Sequence, residues 1–383
     1  MKNHVFPTFY ECINVVGARP NFMKIAPIVE AMNAYPNKIQ HMLVHTGQHY
    51  DNGMSQTFFD DLGISEPDVN LNVGSGSHAE QTAQVMVAFE KVCSKEKPDL
   101  VVVVGDVNST MACAITAKKM GIAVAHVEAG LRSRDMTMPE EINRLCTDAI
   151  SDYLFVTDHF AVENLIREGA AKEKIFFVGN VMIDTLLKFQ SKAAKLNMPQ
   201  KLGVEPGRYA TVTLHRPSNV DEPVVLKKIL DVFSQIDREL PLVFSMHPRT
   251  RKNIEAFGLT HYFRDTLADG AIYALPPLGY LEFLGLNWQA KIVFTDSGGI
   301  QEETTILGIP CITIRPNTER PITCEVGTNH VVGNDPQLIL EAARKILDGG
   351  HVKGRIPEKW DGRAAERIVE HLLAVKKWGI HNG

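Results

Sequence analysis

Five ionisable residues in this sequence stand where the chain turns out of an apolar run or opens a helix. Gly105-Asp106 follows Leu100–Val104, and Glu128 follows the run ending at Val127, within His126-Val127-Glu128-Ala129-Gly130. Glu140 lies in Pro139-Glu140-Glu141-Ile142-Asn143-Arg144, where Pro139 suits a first helical turn. A charge placed directly after an apolar β-run is costly unless it is paired or used. Grouped carboxylates push one another's pKa values apart, which yields general acids and bases near neutrality. The competing structural roles are a helix N-cap for Asp106 and plain first-turn acids for Glu140 and Glu141. His215 (Leu214-His215-Arg216) and His247 (Met246-His247-Pro248-Arg249) end two successive strands, a placement suited to acid–base or electrostatic work. No H-x-x-x-H or H-E-x-x-H spacing accompanies them, so no metal site is expected.

A second set of residues suits an anion. Thr295-Asp296-Ser297-Gly298-Gly299-Ile300-Gln301-Glu302-Glu303 follows the apolar Ile292-Val293-Phe294. It opens a segment with Ile300, Thr304 and Leu307 on one helical face, stopped by Gly308. At such a strand–turn–helix junction, unpaired backbone N–H groups and the helix dipole favour a phosphate, and the two glycines clear its approach. A tight turn with nothing bound is the alternative. Arg19 and Lys24, after Val16-Gly17-Ala18, are cations at another strand end that suit a polyanion, with plain surface charge as the competing role. Arg315 and Arg320, after the strand that follows the glycine-turn helix, could reach the same anion as that turn.

These residues need a scaffold, and the pattern predicts one. Strands at Cys12–Val16, Ile39–Thr46, Leu100–Val104, Ile122–Val127, Tyr153–Val156 and Ile175–Val178 alternate with helices at Asn21–Ala34, Asn52–Leu62, Ser77–Lys97, Asn108–Lys119, Glu140–Ile150 and Ala161–Glu168. Leu-Val-Val-Val-Val is apolar on both faces, as in a covered parallel sheet. The polar stretch Lys188–Gly207 reads as a linker. A second series follows, with strands Tyr209–Leu214, Leu242–Ser245, Ala271–Ala274, Ile292–Phe294, Cys311–Ile314 and His330–Val332. Its helices are Val224–Glu239, one from about Arg251, Tyr280–Trp288, the one after Ser297, and Pro336–Leu347. At 383 residues, two doubly wound α/β domains are expected, 1–187 and 188–363. A last helix, about 364–383, is expected to pack back on the first. Ligands bind beyond the carboxyl ends of such strands, so the expected site is a cleft where the domains face each other.

Composition excludes little but points one way. A net charge of -5 argues against non-specific nucleic-acid binding. The six cysteines form no C-x-x-C pair, which suits reduced thiols in a cytoplasmic protein without a zinc site. No apolar run approaches the roughly 18 residues of a membrane span, and no basic, apolar leader opens the chain.

Taken in order, the motifs resemble the non-hydrolysing UDP-N-acetylglucosamine 2-epimerases. They are Gly17-Ala18-Arg19-Pro20 with Lys24, Thr46-Gly47-Gln48-His49, Gly105-Asp106, His126 to Arg132, Pro139 to Arg144, Gly179-Asn180, Thr295 to Glu303, and Thr318-Glu319-Arg320-Pro321. The resemblance runs from residue 13 to about 370. It implies a GT-B fold of two Rossmann-like domains, usually a homodimer, and cell-surface polysaccharide precursors as product. It implies reversible conversion of UDP-GlcNAc to UDP-ManNAc by elimination and re-addition of UDP through 2-acetamidoglucal, with no cofactor. By position it assigns Asp106, Glu128 and Glu140 to proton transfer and charge stabilisation, and His215 to the leaving diphosphate. Arg19 and Lys24 fall near the phosphates, and Ser297, Gly298 and Gly299 on the diphosphate. Glu303 falls on the ribose, Phe283 and the Leu278 backbone on the uracil, and Arg320 beside them. Arg144 and His247 complete the expected substrate-binding set. The chain departs from the family at His215-Arg216-Pro217-Ser218-Asn219, where many members carry His-Arg-Arg-Glu-Asn, and in a shorter path from Arg132 to Pro139. Both departures bear on activation by a second UDP-GlcNAc near Gln48 and leave the catalytic set intact. A relative acting on a 2,3-diacetamido-glucuronate, a hydrolysing epimerase, and a GT-B glycosyltransferase are the alternatives.

Overall fold

The computed structural model describes residues 10–47, 63, 66–266, 271–350 and 353–375, and the helix expected over 52–62 lies outside them, as do Gln48 and His49. The chain divides into two compact units, Met1–Thr185 with Glu358–Gly383, and Leu186–Pro357.

The first unit carries β1 (Tyr10–Val16), α1 (Arg19–Asn33), β2 (Ile39–His45), β3 (Val69–Asn70), α2 (His78–Glu96), β4 (Leu100–Val104) and α3 (Asn108–Lys119). It continues through β5 (Ala123–Ala129), α4 (Pro139–Ile150), β6 (Tyr153–Val156), α5 (His159–Arg167), β7 (Ile175–Phe177) and α6 (Val181–Lys195), whose later turns belong to the second unit. The strands form one parallel sheet in the order β3-β2-β1-β4-β5-β6-β7. All five residues of β4 are buried, as its sequence requires of a strand covered on both faces. Val101 and Val103 pack with Val85, Phe89, Ala112 and Ala114 from α2 and α3. Helix α2 starts on a Ser77–Glu80 capping box and stops at Lys97, which is left-handed before Pro98.

The second unit carries α7 (Met198–Leu202), β8 (Ala210–Thr213), α8 (Pro217–Val220), α9 (Pro223–Asp237), β9 (Leu242–Ser245), α10 (Pro248–Ala256), β10 (Phe263–Arg264) and β11 (Ile272–Leu275). Then come α11 (Tyr280–Asn287), β12 (Ile292–Thr295), α12 (Gly298–Leu307), β13 (Cys311–Thr313), α13 (Ile322–Glu325), β14 (Asn329–Val331) and α14 (Pro336–Leu347). Its parallel sheet runs β10-β11-β9-β8-β12-β13-β14. Phe233, Phe244 and Phe294 anchor its core. Helix α15 (Ala364–Ala374) returns to the first unit and packs on α1. Both oxygens of Asp184 accept the N–H groups of Ala364 and Ala365 and cap it.

The stretch 188–207 is not the open linker its polar residues suggest. It is helix to Lys195 and again over Met198–Leu202, and the lysines read as linker are what a helix carries on its outer face. Strand order reverses beside β1 and β4 in one sheet and beside β8 and β12 in the other. Those are the two places where a crevice opens past the strand ends.

Candidate active site

At the first reversal, the loops after β1 and β4 and the end of β5 converge on Gly105. This glycine is left-handed, at φ +68. A Cβ there would lie 2.9 Å from Lys24 Nζ and 3.4 Å from an Oε of Glu128. Only glycine lets these groups meet against the backbone. Glu128 is 3% exposed and forms an ion pair with Lys24. It also takes a left-handed φ of +72, and the β5–β6 register shifts between Val127 and Ala129. A bulge of this kind re-aims a side chain, and a non-glycine residue there is strained by of order 1 kcal/mol.

Asp106 does not cap α3, because the N-cap position belongs to Val107, without a side-chain hydrogen bond. Its carboxylate pairs with Arg144, and its carbonyl accepts the Asn143 amide at 2.9 Å. Arg144, expected on the substrate, is 1% exposed and also bonds the buried Glu141 through Nε at 3.0 Å and a terminal nitrogen at 2.8 Å. It therefore holds Asp106 in place. Glu141 accepts the N–H groups of Ser133 and Arg134, so it is the structural acid of the Glu140–Glu141 pair. Glu140 is half-buried in the first turn of the helix that supplies Asn143 and Arg144. The carboxylates thus do not form a bare acidic cluster: Asp106 and Glu128 each have a cation of their own. Lys24, expected on the phosphates, is committed to Glu128. Arg19 is the first residue of α1, and its side chain lies outside the described ones.

At the second reversal, His215 follows β8 and Asp296 follows β12. His215 Nδ1 lies 2.8 Å from Asp296 Oδ1. The same carboxylate accepts the backbone N–H of His215 and of Arg216 and the Asn219 amide. Burial pushes the Asp296 carboxyl up, but His215 and these N–H groups bring it below the usual carboxylate range. Asp296 belongs to the glycine-turn motif, where sequence alone gives it no role. Its partners lie some eighty residues away in sequence, and only the β8–β12 pairing reveals them. The His247 ring lies 5.7 Å from that of His215, and its Nδ1 caps α10 by accepting the Arg249 N–H. Among the described residues, no group of three His, Cys, Asp or Glu could hold a metal ion.

The glycine turn opens α12, with Ser297 at the N-cap and its hydroxyl not bonded to the helix. A Cβ on Gly298 would lie 2.5 Å from an Arg320 guanidinium nitrogen and 2.7 Å from Glu319 Oε1. Arg320 is 6% exposed and ion-paired with Glu302 at 2.7 Å and Glu319 at 2.6 Å, so it sits behind the turn. Glu319 is held in turn by Arg315 at 2.9 Å. One turn along α12, Glu303 is buried. Burial and the neighbouring charge of Glu302 push its carboxyl up to about 8, with Tyr280 partly offsetting them. Phe283 on α11 and Leu278 just before it are half-buried. The Leu278 N–H donates to Ser245 Oγ at 3.4 Å.

Residues 31–373 match the sequence family described as UDP-N-acetylglucosamine 2-epimerase. The chain is 44% identical over 368 residues to the UDP-N-acetylglucosamine 2-epimerase of Methanocaldococcus jannaschii, covering 94% of this chain and 97% of that protein. It is 40% identical over 370 residues to the UDP-2,3-diacetamido-2,3-dideoxy-D-glucuronate 2-epimerase of Pseudomonas aeruginosa, covering 94% and 98%. The crystal structure of the M. jannaschii enzyme in complex with UDP-GlcNAc and UDP is similar at a TM-score of 0.86 and 42% identity, over 94% of this chain and 99% of that one. Two Rossmann-like parallel sheets of GT-B type are the shared architecture.

Proposed function

The chain belongs to the UDP-N-acetylglucosamine 2-epimerase family, and on that premise we propose that it interconverts UDP-N-acetylglucosamine and UDP-N-acetylmannosamine. The observation that carries this is the convergence of Asp106 and Glu128 on Gly105, at the strand reversal of the first unit. A carboxylate of the Asp106, Glu128 and Glu140 set takes the C2 proton. The C2–H electron pair becomes the C1=C2 double bond of 2-acetamidoglucal, and the C1–O pair leaves with UDP. A second member of the set returns a proton to the opposite face, and UDP adds back at C1. The paired cations Lys24 and Arg144 fix the two carboxylates, whose negative charge faces the positive character that develops at C1.

The second unit takes the nucleotide in this account. Ser297, Gly298 and Gly299 hold the diphosphate at the start of α12. Glu303 takes the ribose hydroxyls, and Phe283 with the Leu278 backbone takes the uracil. His215, oriented by Asp296, meets the charge that develops on the departing diphosphate. UDP must stay bound between the two steps, because the return step consumes it. A homodimer is part of the same proposal, checked by sedimentation. No helix of the described residues is long and apolar enough to cross a membrane.

The relative from P. aeruginosa favours a second reading, in which the sugar is a 2,3-diacetamido-glucuronate. Incubating the protein separately with each UDP-sugar and following the anomeric signals by NMR distinguishes them. An equilibrium mixture of C2 epimers from UDP-GlcNAc supports the first reading. Turnover of the diacetamido substrate alone supports the second. Free sugar and stoichiometric UDP would mean hydrolysis and contradict both.

A further inference from the structure

His126 has no exposed surface. Its Nδ1 lies 2.6 Å from Oδ1 of Asp148, and its Nε2 lies 2.8 Å from the carbonyl oxygen of Gly105. Neither partner can donate. A backbone carbonyl only accepts. Asp148 is surrounded by donors: its Oδ2 takes the Gly130 N–H at 3.0 Å and the Arg132 guanidinium at 2.7 Å. Burial pushes the Asp148 carboxyl up, but His126, Arg132 and the Gly130 N–H together bring it below the usual range. Glu168 also pairs with Arg132.

We propose that His126 is a positioning residue: a buried imidazole that bridges the Gly105 carbonyl and Asp148 and so sets the separation of Asp106 and Glu128. The proposal rests on the catalytic assignment of those two carboxylates. Gly105 immediately precedes Asp106. Asp148 grips Gly130, two residues after Glu128, so one ring and one carboxylate tie both loops together. The β4–β5 ladder does not do this alone, because its last pair, Val104 with Val127, stops one residue short of Gly105 and Glu128. One backbone bond, from the Gly105 N–H to the Val127 carbonyl at 3.1 Å, joins the loops beside the clamp. Misplacing a reacting group by about 1 Å costs roughly 10²-fold in rate, so a clamp at this distance from the chemistry matters.

The test is kinetic, on the full chain. In kinetics, His126→Gln and Asp148→Asn should each lower kcat roughly 10²-fold, with KM and UDP affinity little changed. A lower melting temperature with kcat intact would mean a purely structural role and would also overturn it. If His126→Gln does not fold, Asp148→Asn alone carries the kinetics. Wild-type protein inactive on every UDP-sugar would count against the proposed function, whereas an active wild type with kcat unchanged in Asp148→Asn would count against the clamp alone.

Discussion

Nδ1 of His215 lies 2.8 Å from Oδ1 of Asp296, a carboxylate with no exposed surface at the end of a neighbouring parallel strand. The pair is set by topology: β8 and β12 lie side by side at the point where strand order reverses, so their first loop residues meet. With Nδ1 committed to Asp296, Nε2 is the nitrogen assigned to the diphosphate. Asp296→Asn is expected to lower kcat by roughly 10²-fold. Combining it with His215→Ala should cost little beyond His215→Ala alone, because residues acting as a unit are not additive. Steady-state kinetics on the three variants checks this. An Asp296→Asn enzyme of normal kcat would remove the orienting role.

Asp106→Asn and Glu128→Gln keep shape and remove the proposed acid–base function. Each should lose roughly 10²-fold or more in kcat while still binding UDP, whose contacts are assigned to the other unit. Isothermal titration with UDP separates this from misfolding. Lys24→Met is a different case. It removes the cation of the buried Lys24–Glu128 pair, and removing one partner of a buried pair destabilises by about 3–5 kcal/mol. Chemical denaturation should therefore show a large loss for Lys24→Met and a smaller one for Glu128→Gln.

Gly298 marks where the anion turn touches its support. In Gly298→Ala the new Cβ would overlap the Arg320 guanidinium, which Glu302 and Glu319 hold in place. Overpacking of this kind destabilises by about 1–3 kcal/mol. UDP affinity should fall, on the order of tenfold for each 1.4 kcal/mol lost at the turn. Unchanged affinity would show that the diphosphate is held elsewhere.

Glu303 predicts a pH dependence. Its carboxyl is pushed up to about 8 in the ligand-free protein, and ribose hydroxyls donate best to the ionised form. UDP-GlcNAc binding, which brings no phosphate titrating in this range, should tighten as pH rises towards about 8 and release a proton below it. Glu303→Gln should flatten the slope. The sign for folding is opposite: the native state holds this proton more tightly than the unfolded chain. Its stabilising share is full below the ordinary glutamate value of 4.5 and is lost as pH rises from there to about 8. Calorimetric proton release measured in two buffers checks the first claim.

Much of the scaffold was legible because it is written in local pattern. Leu100–Val104 could only be a covered strand, and Gly308 stops α12 in a left-handed conformation, at φ +69. The two-residue strands β3 and β10 are too short to show any alternation. The helices over 188–202 were hidden by the lysines of their outer faces. In the site, residue types and strand-end positions pointed to Asp106, Glu128 and His215, but not to what holds them. Asp296, Arg144 and His126 act on residues 21 to 81 positions away, through strand neighbours that periodicity does not identify. The left-handed Glu128 is equally silent in sequence, since glutamate carries no preference for that conformation.

Solvent exchange at C2 tests the central claim most directly. The protein is incubated with UDP-GlcNAc in D₂O, without acceptor or cofactor, and the sugar is followed by NMR. Proton removal and return by side chains whose protons exchange with solvent predicts UDP-ManNAc carrying deuterium at C2, with deuterium also entering the recovered UDP-GlcNAc. UDP-ManNAc that retains the original C2 hydrogen throughout, or no exchange in either sugar, would contradict proton transfer by Asp106, Glu128 and Glu140.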